Sequence, residues 1–332
     1  MISKPNLLVV GVGSIGERHT RCFQGTGRAN VAICDSNDTL RTDIAQRYGI
    51  THAFANWSEA VESDFDAAVI CTPAHLHIPM AIDIVNRKRH ALIEKPLSTN
   101  YERVDELKQL VESHGVTVMA AYVLRVHPSL AAMKAALDSG RFGKPVHATG
   151  CSGQHFPTYR PAYREIYYRN RATGGGAIQD ALTHLINAAE WLIGPIDTLA
   201  ADCSHQVLEG VEVEDTVNVI ARHQSGALAS YSLNQHQAPQ ESTLTVVCER
   251  GTVRCEFHAG RWRWQTDPTD CWHDEPCEPL ERDDLFTAQA NHFLDVTAGL
   301  AKPTCSLDEA ARTLKTNQAV LQACDRREWV TL

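Results

Sequence analysis

Asn6-Leu7-Leu8-Val9-Val10-Gly11-Val12-Gly13-Ser14-Ile15-Gly16 decides the fold. An apolar run stops at a glycine, and a helical pattern starts three residues later, so the chain must turn tightly between them. Gly11 permits that turn, Gly13 leaves the backbone bare for a pyrophosphate, and Gly16 lets the helix pack on the strand. Ser14 and Ile15 open the helix, where unpaired N–H groups and the positive end of the dipole favour phosphate. Asn30–Asp35 reads as the next strand, and Asp35 is placed to accept hydrogen bonds from a ribose. A carboxylate there repels a 2′-phosphate, and Ser36-Asn37-Asp38 brings no cation, so NAD is expected rather than NADP.

The pattern continues outward. Helix 39–48 ends at Gly49, and strands over 66–72, 90–94 and 117–121 alternate with helices over 77–88 and 100–114. Apolar strands separated by amphipathic helices predict an α/β doubly wound parallel sheet, here over residues 1–122. The remainder, 123–332, differs. Helices over 128–138 and 177–192 accompany a strand over 145–152 and a series of short β runs from 198 to 266. Turn residues between these runs predict an α+β domain with a large open, mainly antiparallel sheet. Residues 267–283 read as an irregular loop, and helices over 284–299 and 307–325 close the chain, the last expected to pack back on the first domain.

Composition bounds the function. The 332 residues carry a net charge of −9, which disfavours nucleic acid as the main partner. No stretch approaches the length of a membrane span, and no export signal is legible at the N-terminus. The eleven cysteines are scattered with no CxxC pair, which points to a reducing cytoplasm. Cys271, His273 and Cys277 lack regular metal-ligand spacing, so they read as a surface loop and no metal site is expected.

Three further motifs follow the nucleotide turn in order: Thr72-Pro73-Ala74-His75-Leu76-His77, then Glu94-Lys95-Pro96, then Gly174-Gly175-Gly176 followed by Asp180 and His184. The ordered set resembles the glucose–fructose oxidoreductase / inositol dehydrogenase (Gfo/Idh/MocA) family over nearly the whole chain. The resemblance implies an N-terminal Rossmann domain and a C-terminal domain whose open sheet commonly forms a homodimer or homotetramer interface. It also implies that Thr72, Pro73, His77, Glu94 and Arg125 line the cofactor site. Lys95 is implied to touch both nicotinamide and substrate, and the bond before Pro96 to be cis.

The residues support this chemistry on their own terms. Ligands of open parallel sheets bind beyond the carboxyl ends of the strands, where Thr72, Glu94 and Lys95 fall. Asp180 and His184 are four residues apart, on one face of a helix. The three glycines ahead of them allow close backbone approach to a ligand. Oxidising a secondary alcohol needs a base, and histidine titrates in the right range. His184 is therefore the candidate proton acceptor and donor, Lys95 the electrostatic stabiliser, and Asp180 either holds a substrate hydroxyl or orients the other two. The reading requires that ammonium and that imidazole to serve one nicotinamide. Asn187 stands where relatives often carry Asp, and Ala74 where many carry Asn, which leaves the substrate's hydroxyl pattern open.

Between the strand at 145–152 and the glycines lies an insert rich in Tyr and Arg. His155, Tyr159, Arg160, Tyr163 and Arg164 are candidate contacts to a sugar carrying a carboxylate or phosphate. A basic surface loop or an oligomer contact would explain the same residues. The expected activity is hydride transfer to or from a CH–OH carbon of a sugar, sugar acid or nucleotide sugar. An NAD-dependent glycoside hydrolase, a non-catalytic NAD or sugar sensor, and an oxidoreductase with permanently bound NADP are the alternatives, the last disfavoured by Asp35.

Overall fold

The computed structural model describes residues 4–332. They fall into two compact units, Met1–Val123 with Leu280–Ala311, and Leu124–Pro279 with Arg312–Leu332.

The first unit is built from β1 (Asn6–Val10), α1 (Ser14–Gly25), β2 (Asn30–Cys34), α2 (Asp38–Tyr48), β3 (Ala53–Phe54), α3 (Trp57–Ala60), β4 (Ala67–Ile70), α4 (His77–Asn86), β5 (His90–Ile93), α5 (Val104–His114) and β6 (Val118–Ala120). All neighbouring strands pair parallel in the order β3-β2-β1-β4-β5-β6. This is the doubly wound order, with its switch point between β1 and β4. Leu7, Val9, Ile33, Val69 and Leu92 are fully buried because helices cover both faces. The side chain of Asn37 caps α2 by accepting from Leu40 N–H, and Gly49 ends it in the left-handed region. Helix α5 starts at Val104 rather than near 100, because Arg103 takes a left-handed conformation ahead of it.

The second unit contains α6 (Pro128–Asp138), β7 (Pro145–His155), α7 (Phe156–Tyr159), α8 (Thr183–Ile193), β8 (Ile196–Ser204), β9 (Thr216–His223), β10 (Leu228–Asn234), β11 (His236–Cys248), β12 (Gly251–Glu256), β13 (Arg261–Gln265) and β14 (His273–Pro276). The chain then forms α9 (Asp284–Thr297), α10 (Leu307–Arg326) and β15 (Val330–Thr331). The nine-stranded sheet runs β14-β13-β12-β11-β7-β10-β9-β8-β15 and is antiparallel except where β7 meets β10. Val217, Val219 and Ala221 of β9 point into the core, while Asn218, Ile220 and Arg222 point out. One face thus packs beneath α8, whose Leu185, Ile186, Leu192 and Ile193 are buried. Each such side chain contributes roughly 1.5–3 kcal/mol relative to exposure. The opposite face leaves Val146, Ile220 and Leu228 exposed.

The structure departs from the sequence reading in local detail. Residues 267–283 are not wholly irregular, since β14 pairs with β13 and extends the sheet. Strand β11 begins at His236, and its polar first half pairs with β7 across a bulge. The two-residue strands β3 and β15 carry too little pattern to be read. The helix expected over 177–192 opens with a π-helical turn, Ile178–Leu182, before α8. Helix α9 belongs to the first unit, where Arg21 of α1 donates a forked pair of hydrogen bonds to Asp283, just ahead of it. Among the described residues no helix is long and apolar enough to cross a membrane.

Candidate active site

The nucleotide turn shows why each glycine is there. Gly11 has φ +82°, and a Cβ on it would stand 3.0 Å from the Cys71 and Thr72 backbone. A Cβ on Gly16 would stand 1.8 Å from the Gly11 carbonyl oxygen, so only glycine lets α1 lie this close to β1. A Cβ on Gly13 would meet nothing within 4 Å. Gly13 is therefore not required by the protein's own packing; it keeps open the space ahead of the α1 N-terminus. Ser14 and Ile15 begin that helix, and no side chain caps it. Asp35 at the end of β2 accepts from the N–H groups of Val12 and Asn37, both at 2.8 Å, so its carboxylate braces the turn. Its remaining lone pairs suit ribose hydroxyls. A bare backbone, free helix N–H groups and an acidic strand end together fit a dinucleotide. Arg41, a cation beside this strand end that the sequence reading did not weigh, is held by Asp38 and by the Asp35 carbonyl.

The ends of β4 and β5 are tied together by His77. This buried imidazole lies 2.7 Å from the Thr72 carbonyl and 3.0 Å from that of Pro96. Both partners only accept, so a neutral ring satisfies one and the cation both. Burial nevertheless drives the His77 pKa down, outweighing the two carbonyls. The place of His77 is thus to clamp two strand-end loops. Thr72 Oγ1 lies against Met80 Sδ, and Pro73 is exposed. The Lys95–Pro96 bond is cis. Glu94 is buried, bonded to His19 of α1 at 2.8 Å and to the Lys95 N–H at 2.9 Å. Burial pushes the Glu94 carboxyl upward, but His19 and Lys95 overcome it and leave its pKa below the ordinary range. Lys95 follows at the mouth of β5, half-buried. His19 escaped the sequence reading, because nothing local links it to a residue 75 positions away.

In the second unit Asp180 sits in the π-helical turn and His184 in the first turn of α8. Inserted π turns recur at functional sites, since they re-aim side chains that an α-helix would space evenly. Helix α10 braces this helix from behind: Asn317 donates to Thr183, Asn187 to Thr313, and Thr313 and Thr316 to Glu190. Arg125, expected at the cofactor, is buried here, with Nε 2.8 Å from Asn187 Oδ1 and its guanidinium over Trp191. Asn187 thus accepts from one partner and donates to the other, which a carboxylate could not do.

The glycine triplet needs reinterpretation. A Cβ on Gly175 would stand 2.1 Å from the Tyr168 carbonyl, and one on Gly176 would stand 2.4 Å from Glu214 Oε1. The close approach is made by the chain itself. Glu214, also missed from the sequence, accepts from Ile178 N–H at the start of the π turn and from Arg171. The insert divides. Tyr163 is 1% exposed, packs with Phe156 and Tyr168, and donates to the Glu209 carbonyl, so it is a core residue. Arg164 lies over the Tyr163 ring. His155 pairs with Thr158, and Tyr159 and Arg160 are exposed. Tyr167, outside the expected contacts, donates to Asp180 Oδ1 at 2.6 Å.

Residues 6–122 match the family described as oxidoreductase family, NAD-binding Rossmann fold, and residues 130–254 match the GFO/IDH/MocA C-terminal domain. The chain belongs to the Gfo/Idh/MocA family. As a member it is an oxidoreductase whose first unit is an NAD-binding Rossmann fold. Among curated relatives, inositol 2-dehydrogenase of Rhizobium meliloti is 28% identical over 75% of this chain and 74% of its own length. Levoglucosan dehydrogenase of Pseudarthrobacter phenanthrenivorans is 23% identical over 72% and 70%. A levoglucosan dehydrogenase structure in complex with NADH covers 99% of both chains with TM-score 0.90 at 19% identity. The WlbA dehydrogenase from Bordetella pertussis, in complex with NADH and UDP-GlcNAcA, gives 0.87 at 24% identity, covering 100% of this chain and 99% of its own. These Gfo/Idh/MocA relatives are named dehydrogenases, which favours the oxidoreductase reading over the hydrolase and sensor alternatives.

Proposed function

We propose that this protein is an NAD-dependent dehydrogenase of a sugar-like polyol, acting on a secondary alcohol carbon through Lys95, Asp180 and His184. NAD, when bound, supplies the hydride acceptor. His184 takes the hydroxyl proton, because an imidazole exchanges protons near neutral pH. The Lys95 ammonium stabilises negative charge developing on the alcohol oxygen. Asp180 accepts a hydrogen bond from a substrate hydroxyl. The observation that carries the reading is the support under these groups: buried Glu94 holds the Lys95 backbone, and the seam from α10 holds the His184 helix.

The substrate carries an anionic group in this reading, supported by the exposed Arg160 and Arg169 of the insert. The exposed sheet face at Val146, Ile220 and Leu228 suits association of copies into a homodimer or homotetramer, and eleven free cysteines suit a reducing cytoplasm. The test is NADH formation, followed by absorbance, with myo-inositol, levoglucosan and UDP-GlcNAcA. Turnover of at least one, with NAD preferred to NADP, is expected. Absence of turnover with all three would overturn the reading, and a neutral polyol outcompeting the acidic sugar would remove its anionic part.

A further inference from the structure

The insert reaches the Asp180 carboxylate through one side chain. The 2.6 Å bond from Tyr167 Oη is short, as a phenol donating to an ionised carboxylate should be. Asp180 is 9% exposed and Tyr167 39%. The phenol is therefore the more accessible of the two groups.

Tyr167 stands on a rigid base. Its carbonyl accepts from Thr173 Oγ1 at 2.8 Å and from Asn170 N–H at 3.2 Å. The next residue, Tyr168, is buried against Phe156, and its carbonyl accepts from Gly176 N–H at 3.1 Å. Gly175 lets that carbonyl lie where any side chain would collide. The base of the ring and the start of the Asp180 turn are thus one construction, and a site so mounted holds its geometry. Tyr168 does the core packing; Tyr167, turned outward, adds little to it.

We propose that Tyr167 is a specificity-determining substrate contact which, with Asp180, reads two adjacent hydroxyls of the sugar. The inference rests on the reading of Asp180 as a substrate ligand. A phenolic oxygen can accept while its proton is donated, and a carboxylate accepts several hydrogen bonds at once. One sugar hydroxyl donates to Tyr167 Oη and its neighbour to Asp180. The ring covers the apolar C–H face of the same sugar. A substrate lacking either hydroxyl forgoes that hydrogen bond in a desolvated site, which is a basis for rejection.

The experiment compares wild type with Tyr167→Phe, using whichever of myo-inositol, levoglucosan and UDP-GlcNAcA the wild type oxidises fastest. The loss of one hydrogen bond next to a charge is expected to raise KM for the sugar about tenfold. NADH affinity, read by fluorescence, and Tm are expected to stay at wild-type values. Sugar KM within about twofold of wild type overturns the inference and leaves the dehydrogenase reading standing. A fall in Tm and NADH affinity together with unchanged KM makes Tyr167 a brace and overturns it too. No wild-type turnover with any of the three removes the underlying reading, and the inference with it.

Discussion

His19 Nε2 lies 2.8 Å from Glu94 Oε1, with side-chain exposures of 0% and 7%. A carboxylate only accepts, so the proton on that nitrogen belongs to the histidine. Nδ1 is buried with no hydrogen-bond partner among the described residues, so this bond is what holds the ring. The bond links the nucleotide helix to the strand end that carries Lys95. Replacing His19 with Ala leaves a buried carboxylate short of a donor. The expected cost is about 2–3 kcal/mol in urea unfolding, with kcat reduced more than NADH affinity. Unchanged stability would show that Glu94 finds another partner.

Two glycines of one turn should fail in different ways. Gly16→Ala sets a methyl 1.8 Å from a backbone oxygen and must displace α1, so it should lower Tm and NADH affinity together. Gly13→Ala meets no protein atom and adopts an ordinary φ of −61°, so Tm should hold while NADH binding weakens by about tenfold or more. Thermal melts and fluorescence titration of both variants separate the two. A Gly13→Ala protein with wild-type NADH affinity would mean that the open space is not where the cofactor lies.

Lys95→Ala and His184→Ala should each reduce turnover by roughly 10²–10⁴-fold while NADH still binds. Stopped-flow or steady-state kinetics beside a binding titration measure both quantities. Near wild-type turnover in either variant removes the role assigned to that residue.

Stability should fall in mild acid. His77, His90, His127 and His223 all have pKa values lowered chiefly by burial. Such groups stay neutral in the fold but take up protons in the unfolded chain below about pH 6.5. Their stabilisation is complete above that pH and is lost as pH falls through the lower folded pKa values. Glu190 works the other way: burial raises its pKa, so its contribution is present in acid and lost as pH rises through the raised value. With four groups against one, Tm measured from about pH 7.5 down to 5.5 should decrease. A flat profile would indicate that these histidines take up protons equally in the folded and unfolded states.

The doubly wound unit was legible because its signals are local. A strand, three glycines and an acidic strand end lie within thirty residues, and each has one physical use; Gly16 lets α1 lie against β1 and Asp35 braces the turn. Lys95, Asp180 and His184 were legible as residue types in short motifs with an order. The glycine triplet was legible as a close approach, but not what approaches.

Sequence alone determined the parallel sheet and its glycine turn, and it nominated the proton-transfer groups proposed above, since period, turn chemistry and residue type act over a few neighbours. Tertiary structure alone decided what surrounds those groups. His19 meets Glu94 across 75 residues, Glu214 reaches Ile178 across 36, and the insert delivers Tyr167 rather than Tyr163 to the candidate site. A hydrogen bond depends on distance and angle in space, and no spacing along the chain encodes either once the partners lie on different elements.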